Sequence, residues 1–451
     1  MKIALVFVAL LGMVVVGLPF SIAGDSSLTG AVQSFLAYGL TATSVLLSLL
    51  TIFLSRSLSS DLVNRHVFFV MTKPIPRWEY LLGKWLGITL LNGAFVVFSG
   101  VAIYGMTYYI RWSHPPIDEF FDKEELVNEV LVARHALKTK LPDFEKSAER
   151  DFQQNLEEGV YHNAPNFDPA TERARLAMKR ESQWRVVGPM ETRLFEFENV
   201  LCDRDPKNSI HIRYKTEVTG YAQDEVFRAV WRFGEPRKGT THYDIPVRHV
   251  VGRRHSIQVP ANVVAEDRTL RVELFNENPF PGEPQYRNVL ELRKSDEVEV
   301  LFAVGSFEGN LFRLLILMMC KLMFLASVAV LAAAAVTFPV ACFASFIIYL
   351  LAGARSFFRE ALEFSSGGST TWFSSVKDFL VHSITYAFEA LCWIIPDFPK
   401  YDGVETLVSG HNVGLVWVIQ GISDLVLLKT VIVLGLAMLL FQRREVAEVS
   451  L

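Results

Sequence analysis

Three ionisable residues stand inside apolar runs of this sequence. Lys321 lies in "LLILMMCKLMFLASVAVL", and Asp424 and Lys429 lie in "ISDLVLLKTVIVLGLAMLL". A charge at such a position is costly, and where it occurs it commonly lines an ion, proton or substrate path. Counting about 1.5 Å per residue from the ends of these runs puts all three towards one side of the bilayer. Their side chains could then snorkel to the headgroups. Both readings stand: lipid-facing snorkelling, or a candidate intramembrane path formed by Lys321, Asp424 and Lys429.

Bond-making chemistry has little support. There is no G-x-S-x-G, no H-E-x-x-H and no tight acidic cluster. The phosphate-binding string G-x-x-x-x-G-K-[ST] is absent too; Gly83–Lys84 in "LLGKW" has neither the earlier glycine nor the following Ser or Thr. The chain is therefore expected to be non-catalytic, with no catalytic residues and no ATP hydrolysis of its own. Cys202, Cys320, Cys342 and Cys392 are widely separated, which gives neither a disulfide framework nor metal-ligand spacing. No metal and no bound cofactor are expected. His249 and His255, with Arg253 and Arg254, form either a cationic patch or an ordinary charged strand edge.

The elements that must carry these residues are largely membrane helices. The chain has 451 residues, 51% of them hydrophobic, which exceeds the usual soluble composition. A formal charge of -4 gives no reason to expect nucleic-acid binding. Runs of about 20 apolar residues suffice to cross a bilayer. They occur at Ile3 to Phe20, Phe35 to Leu54, Leu86 to Ile110, Leu311 to Leu351 (two helices broken near Pro339) and Leu425 to Phe441. Six spans are expected. The first run also has the features of a secretory signal peptide, with Lys2 before the apolar stretch and "SIAG" after it.

Orientation follows the distribution of Lys and Arg. Arg56, Arg65, Lys73, Arg77 and Lys84 fall in one connector, Arg443 and Arg444 follow the last run, and 21–34 has neither residue type. The expectation is a multi-pass plasma (inner) membrane protein with both termini cytoplasmic and 111–306 extracytoplasmic. Its organisation reads as helices 1–3 in 1–110, with a cytoplasmic element at 56–85; a helical segment, 111–183; a β-sandwich, 184–306; helices 4 and 5 in 307–353; an outer loop with an amphipathic helix, 354–410; and helix 6 with its tail, 411–451.

Within the polar region, Asp122 and Glu125 have capping-box spacing before "LVNEVLVARHAL", where Val127, Val130, Leu131 and Leu137 share a helical face. Beyond 184 the period becomes two. Ile210, Ile212 and Tyr214 alternate with polar residues, as do Phe227, Ala229, Trp231 and Phe233, then Leu270, Val272 and Leu274, then Val298, Val300 and Phe302. Turn residues separate these runs, so the fold class is α-helical membrane protein plus an inserted α+β domain built on an antiparallel β-sandwich. After the fifth helix, "EFSSGGSTTWF" reads as a flexible loop and "VKDFLVHSITYAFEALCWIIP" as an amphipathic helix at the membrane surface.

The connector "SSDLVNRHVFFVMTKPIPRWEYLLGKWLG" breaks into two pieces. Ser59 or Ser60 could cap a short helix bearing Leu62, Val63, Val67 and Val70 on one side. Pro74 and Pro76 then interrupt it, and Pro76 suits the first position of a new helix. On that helix Trp78, Leu81, Leu82 and Trp85 share a face, Glu79 sits near the positive end of the dipole, and Arg77 and Lys84 stay in water. Such a basic elbow could bind anionic membrane lipid or serve as a handle for a cytoplasmic partner.

The run "KPIPRWEYLLGK" resembles the cytoplasmic-loop signature of the ABC-2 type permeases, in particular the multicopper-enzyme-maturation branch. Lys73, Pro74, Ile75, Arg77, Trp78, Glu79, Tyr80, Leu81, Leu82, Gly83 and Lys84 match it. "TFPVAC", "IIPDFPKYD" and "FQRREVAE" are weaker echoes. The resemblance covers the apolar runs and this loop, about half the chain. It implies the six-helix half of an ATP-driven transporter, an exporter, with Lys73, Pro74, Pro76, Arg77, Trp78, Glu79, Gly83 and Lys84 in the ATPase-coupling element. It also implies a separate ABC ATPase subunit carrying the ATP, a homodimer or a second permease, and a retained first span. Two features depart from the family plan: no basic amphipathic stretch precedes "KIALVFVALL", and the 111–306 insertion is large. The alternative function is a membrane-anchored binding or assembly protein whose sandwich recognises an envelope component without transport.

Overall fold

The computed structural model describes residues 27–64, 76–113, 126–161, 168–206, 208–219, 226–235, 240–277, 289–294, 297–365 and 395–443, with scattered positions between 6 and 17. The expectations for Lys73, Pro74, Val67, Val70, the Asp122–Glu125 box, the 366–394 loop and helix, and Arg444 lie outside the described residues.

In chain order the elements are α1 (Leu28–Leu54), α2 (Arg56–Val63), α3 (Arg77–Ser113), β1 (Val132–Lys138), α4 (Phe144–Glu157) and α5 (Pro169–Arg185). Next come β2 (Val186–Val187), β3 (Thr192–Phe197), β4 (Ser209–Thr219), β5 (Val226–Phe233), β6 (Tyr243–Val250), β7 (Arg254–Pro260), β8 (Leu270–Asn276), β9 (Val289–Leu292) and β10 (Glu299–Ser306). The chain finishes with α6 (Phe307–Ala335), α7 (Phe338–Ser365), α8 (Val404–Val408) and α9 (Leu415–Arg443), the last containing a π-helical stretch, Ile422–Thr430. These fall into two compact units: Met1–Ala133 with Gly305–Leu451, and Arg134–Val304.

In the helical unit, five of the described helices are long and apolar enough to cross a membrane: Leu28–Val63, Arg77–Ser113, Phe307–Ala335, Phe338–Phe357 and Leu415–Arg443. The side chain of Ser27 caps α1 by accepting from the Gly30 amide at 2.9 Å, which satisfies one of the amides left free at a helix start. α6 is the hub, packing on α1, α3, α7 and α9; its Leu317, Phe324, Ala326, Ala329 and Val330 are fully buried. Because neighbours in a bilayer gain little from hydrophobicity, polar contacts between helices matter there. One joins α3 to α1, where Asn92 Nδ2 donates to Thr51 Oγ1 at 2.8 Å, both residues buried. The described positions between 6 and 17 are helical, and Leu11 is buried against Leu47, Leu50, Val96, Met318 and Leu322.

The long run 311–351 does divide, but before the proline: α6 ends at Ala335, and Pro339 is the second residue of α7. A proline there removes an amide that has no helical acceptor in any case. The helix that starts after Pro76 is continuous with the following apolar run, α3 extending without interruption from Arg77 to Ser113. Ser59 or Ser60 does not start the preceding helix; α2 already begins at Arg56.

The sheet unit has two antiparallel sheets. One has the order β1-β10-β4-β9-β2, with β7 also pairing β4; the other has the order β3-β8-β5-β6. The alternating residues all point into one core: Ile210, Ile212 and Tyr214 from the first sheet meet Phe227, Ala229, Trp231 and Phe233 from the second. The Tyr214 and Trp231 ring centroids are 4.5 Å apart. Each large side chain buried this way contributes about 1.5–3 kcal/mol, and a period of two is what turns them all inward. α4 and α5 pair beside the sheets through Arg180–Asp151 at 2.5 Å and Arg173–Glu149 at 2.6 Å, over Ala148, Phe152 and Leu176.

A further expectation is overturned. "LVNEVLVARHAL" is not a single helix: a π-turn occupies Leu126–Val130, and Val132–Lys138 is strand β1 beside β10. Backbone pairing with a sheet edge outweighs a helical apolar spacing that is satisfied over barely two turns.

Candidate functional site

Two places in the helical unit bring sequence-singled residues together. The first is the connector. Leu58 of α2 and Leu81 and Trp85 of α3 are buried with Ala333, Ala334 and Phe441. Around this apolar seam four polar side chains tie the helices together. Lys84 Nζ lies 2.6 Å from Asp61 Oδ2 and donates to Ser57 Oγ at 3.0 Å, while Tyr80 donates to the same Asp61 oxygen at 2.8 Å. Arg77 Nη1 donates to the carbonyls of Gln442 at 3.0 Å and Phe441 at 3.5 Å. A cation at the C-terminal end of α9 meets both its unpaired carbonyls and its negative dipole end. Trp85 Nε1 donates to the Met323 carbonyl at 3.1 Å, inside the bundle.

Arg77 and Lys84 keep partial exposure but are not free in water, and with the buried Trp85 they tie α3 to neighbouring helices. What faces outward is a smaller set. Trp78 is 43% exposed, and Glu79, Gly83 and Pro76 are exposed beside it. Open space surrounds Gly83 on its Cβ side.

The second place is a buried charge cluster. Lys429, its side chain only 8% exposed, lies 3.3 Å from Asp424 Oδ2. On an α-helix residues five apart point about 140° away from each other. The π-helical stretch Ile422–Thr430 widens the turn so that they line up, and Thr430 Oγ1 correspondingly donates to the carbonyl five back, Leu425, at 2.7 Å. Tyr401 donates to Asp424 at 3.0 Å from the turn Pro399–Tyr401. The next residue, Asp402, approaches Lys321 of α6 to 3.6 Å. Thus both lysines turn inward onto aspartates, because a buried ammonium needs a counter-charge.

Arg355 of α7 reaches the same region, donating to the Ile395 carbonyl at 2.8 Å. Together with Asp397, Lys400, Gln420, Ser423 and Leu428 it lines a cavity of about 570 Å³ against Tyr401, Asp424 and Lys429. Asp397 Oδ1 is buried there without a hydrogen-bond partner among the described residues. Burial, then the Asp424 carboxylate, pushes the Tyr401 phenol well above its ordinary value, so it remains a donor. Gly421 precedes the π stretch because a side chain would not fit: an added Cβ would lie 2.6 Å from Leu317 Cδ2.

The roles of Asp397, Arg355 and Asp402 were not legible in the sequence. "IIPDFPKYD" carried the only hint, two aspartates and a tyrosine close before the last apolar run. His249 and His255 are not a free patch: their rings stack at 4.1 Å, and His249 Nδ1 is 2.6 Å from the Tyr214 hydroxyl. Among the described residues no group of three or more His, Cys, Asp or Glu could hold a metal ion.

Comparison of the chain with known protein families, with characterised proteins and with solved structures finds no match.

Proposed function

We propose that this chain is the membrane-spanning subunit of an ATP-driven transporter of the ABC-2 type, an exporter whose ATP hydrolysis takes place on a separate subunit. The observation that carries this reading is the division of labour in the connector. Arg77, Tyr80, Lys84 and Trp85 fasten the start of α3 to α2, α6 and α9, while Trp78, Glu79 and Gly83 are left exposed on the same turn and a half. An exposed surface with one aromatic, one carboxylate and one glycine on a fixed helix start suits docking into a protein groove, with motion passed along α3 into the bundle. In this reading the connector and both termini are cytoplasmic, 111–306 is extracytoplasmic, the first apolar run is a sixth span, Lys73, Pro74 and Pro76 belong to the coupling element, and two permease halves assemble. The Lys321–Asp402 and Asp424–Lys429 pairs border the path.

The test is purification of the tagged chain from its native membranes, with ATPase activity measured in the eluate. Trp78→Ala and Glu79→Lys should each remove most of that activity while membrane content is unchanged. Equal activity with and without these substitutions, or labelling of Gly83→Cys by an impermeant reagent from outside sealed cells, would overturn the reading.

A further inference from the structure

We infer that the sheet unit contains a binding site for a phosphorylated ligand, in the cleft where the register of the first sheet steps. β9 pairs β4 up to Leu292 opposite Thr216, whereas β10 begins with Glu299 opposite Arg213. The chain thus skips Tyr214 and Lys215, and the connection through Arg293 and Lys294 is spent on building a wall instead of a ladder. The turn from β6 into β7 arrives at the same place, with Arg254 opposite Lys215. The result is a cleft of about 730 Å³, within the range that holds small-molecule ligands.

Its lining is strongly unbalanced. Among the described residues, Lys138, Arg213, Lys215, Arg254, Arg293 and Lys294 meet two carboxylates, Glu297 and Glu299. Glu299 is already engaged, 2.7 Å from Arg213 Nε. That pair is mostly buried, and it fixes one guanidinium at the base. Lys215, Arg254, Arg293 and Lys294 have no carboxylate within ion-pair distance among the described residues. Like charges at this density repel one another, and on a chain of net charge -4 they are not a consequence of composition. Concavity and charge point the same way. An ordinary charged edge would be flat and interspersed with acids. Two arginines and two lysines with no carboxylate partner among the described residues, converging on one cleft, match the several oxygens of a phosphate or diphosphate group, which guanidinium forks engage in pairs. The inference does not depend on transport or on coupling to an ATPase.

The experiment uses the full chain in phosphatidylcholine nanodiscs, titrated calorimetrically with inorganic pyrophosphate at low and at physiological salt. Binding at sub-millimolar Kd is expected, weakening at higher salt. The double variant Arg254→Gln/Arg293→Gln should weaken it at least tenfold, while Lys179→Gln, on α5 away from the cleft, should leave it unchanged. Thermal melts of each variant separate lost binding from lost folding. In nanodiscs containing phosphatidylglycerol, a several-fold fall in pyrophosphate affinity assigns the natural ligand to lipid headgroups, and an unchanged affinity assigns it to a soluble phosphate ester. No heat of binding in the wild type, or equal affinity in the double variant, would overturn the site.

Discussion

Asp61 and Lys84 face each other at 2.6 Å from the two helices that flank residues 65–75. The same Asp61 oxygen also accepts the Tyr80 hydroxyl, so one carboxylate holds two points on α3.

Removing Asp61 should therefore cost more than removing Lys84. With both side chains about a quarter exposed, Lys84→Met is expected to cost about 0.5–1 kcal/mol and Asp61→Ala about 1–2 kcal/mol, since the latter also strips the Tyr80 donor of its partner. A double-mutant cycle on thermal unfolding in detergent micelles reads the coupling, and additivity of the two losses would show that the pair does not hold the helices together.

The Asp424–Lys429 pair predicts a sharper pattern. Asp424→Asn leaves the ammonium, the more buried partner, without its counter-charge and should destabilise the chain by about 3 kcal/mol. Lys429→Met leaves a carboxylate that is 30% exposed and still accepts from Tyr401, so it should cost less. The double variant should recover part of the loss. Melting temperatures of the three proteins decide it, and a double variant worse than both singles would contradict the pairing.

Gly421→Ala should lower the melting temperature. The new methyl meets Leu317 Cδ2 at the hub helix, and crowding of this kind in a packed core costs about 1–3 kcal/mol. Gly83→Ala, whose Cβ meets nothing within 4 Å, should be neutral or slightly stabilising in the same measurement.

Acid should weaken the sheet unit through His211. Burial, with Arg134 as a second cause, pulls its pKa from 6.5 down to about 4. The folded form thus resists a proton that the unfolded chain accepts. The stability is complete above pH 6.5, falls as pH drops through the interval between the two values, and by pH 4 has lost roughly 3 kcal/mol. His211→Gln should flatten that part of the curve, as followed by intrinsic tryptophan fluorescence between pH 7 and pH 4.5.

The strands were readable because alternation is a local property: Phe227, Ala229, Trp231 and Phe233 announce a buried face without knowledge of the partner strand. The apolar runs were readable for the same reason. Val132–Lys138 was not, because its apolar residues fit a helix as well as a strand, and only β10 decides between them. The charge cluster needed two things absent from a linear reading. Asp402 comes to Lys321 from a distant turn, and Asp424 meets Lys429 only because the helix widens between them. Arg77 and Lys84 look solvated on a helical wheel, which does not show where another helix ends.

The strands that begin and end the sheet unit, β1 and β10, lie next to each other in one sheet, and an added Cβ at Gly305 would be 3.7 Å from that of Ala133. Its entrance and exit are thus one doorway. A whole cassette from Arg134 to Val304 can be lengthened, exchanged or deleted during evolution by joining two neighbouring points, leaving the order of the flanking helices as it was.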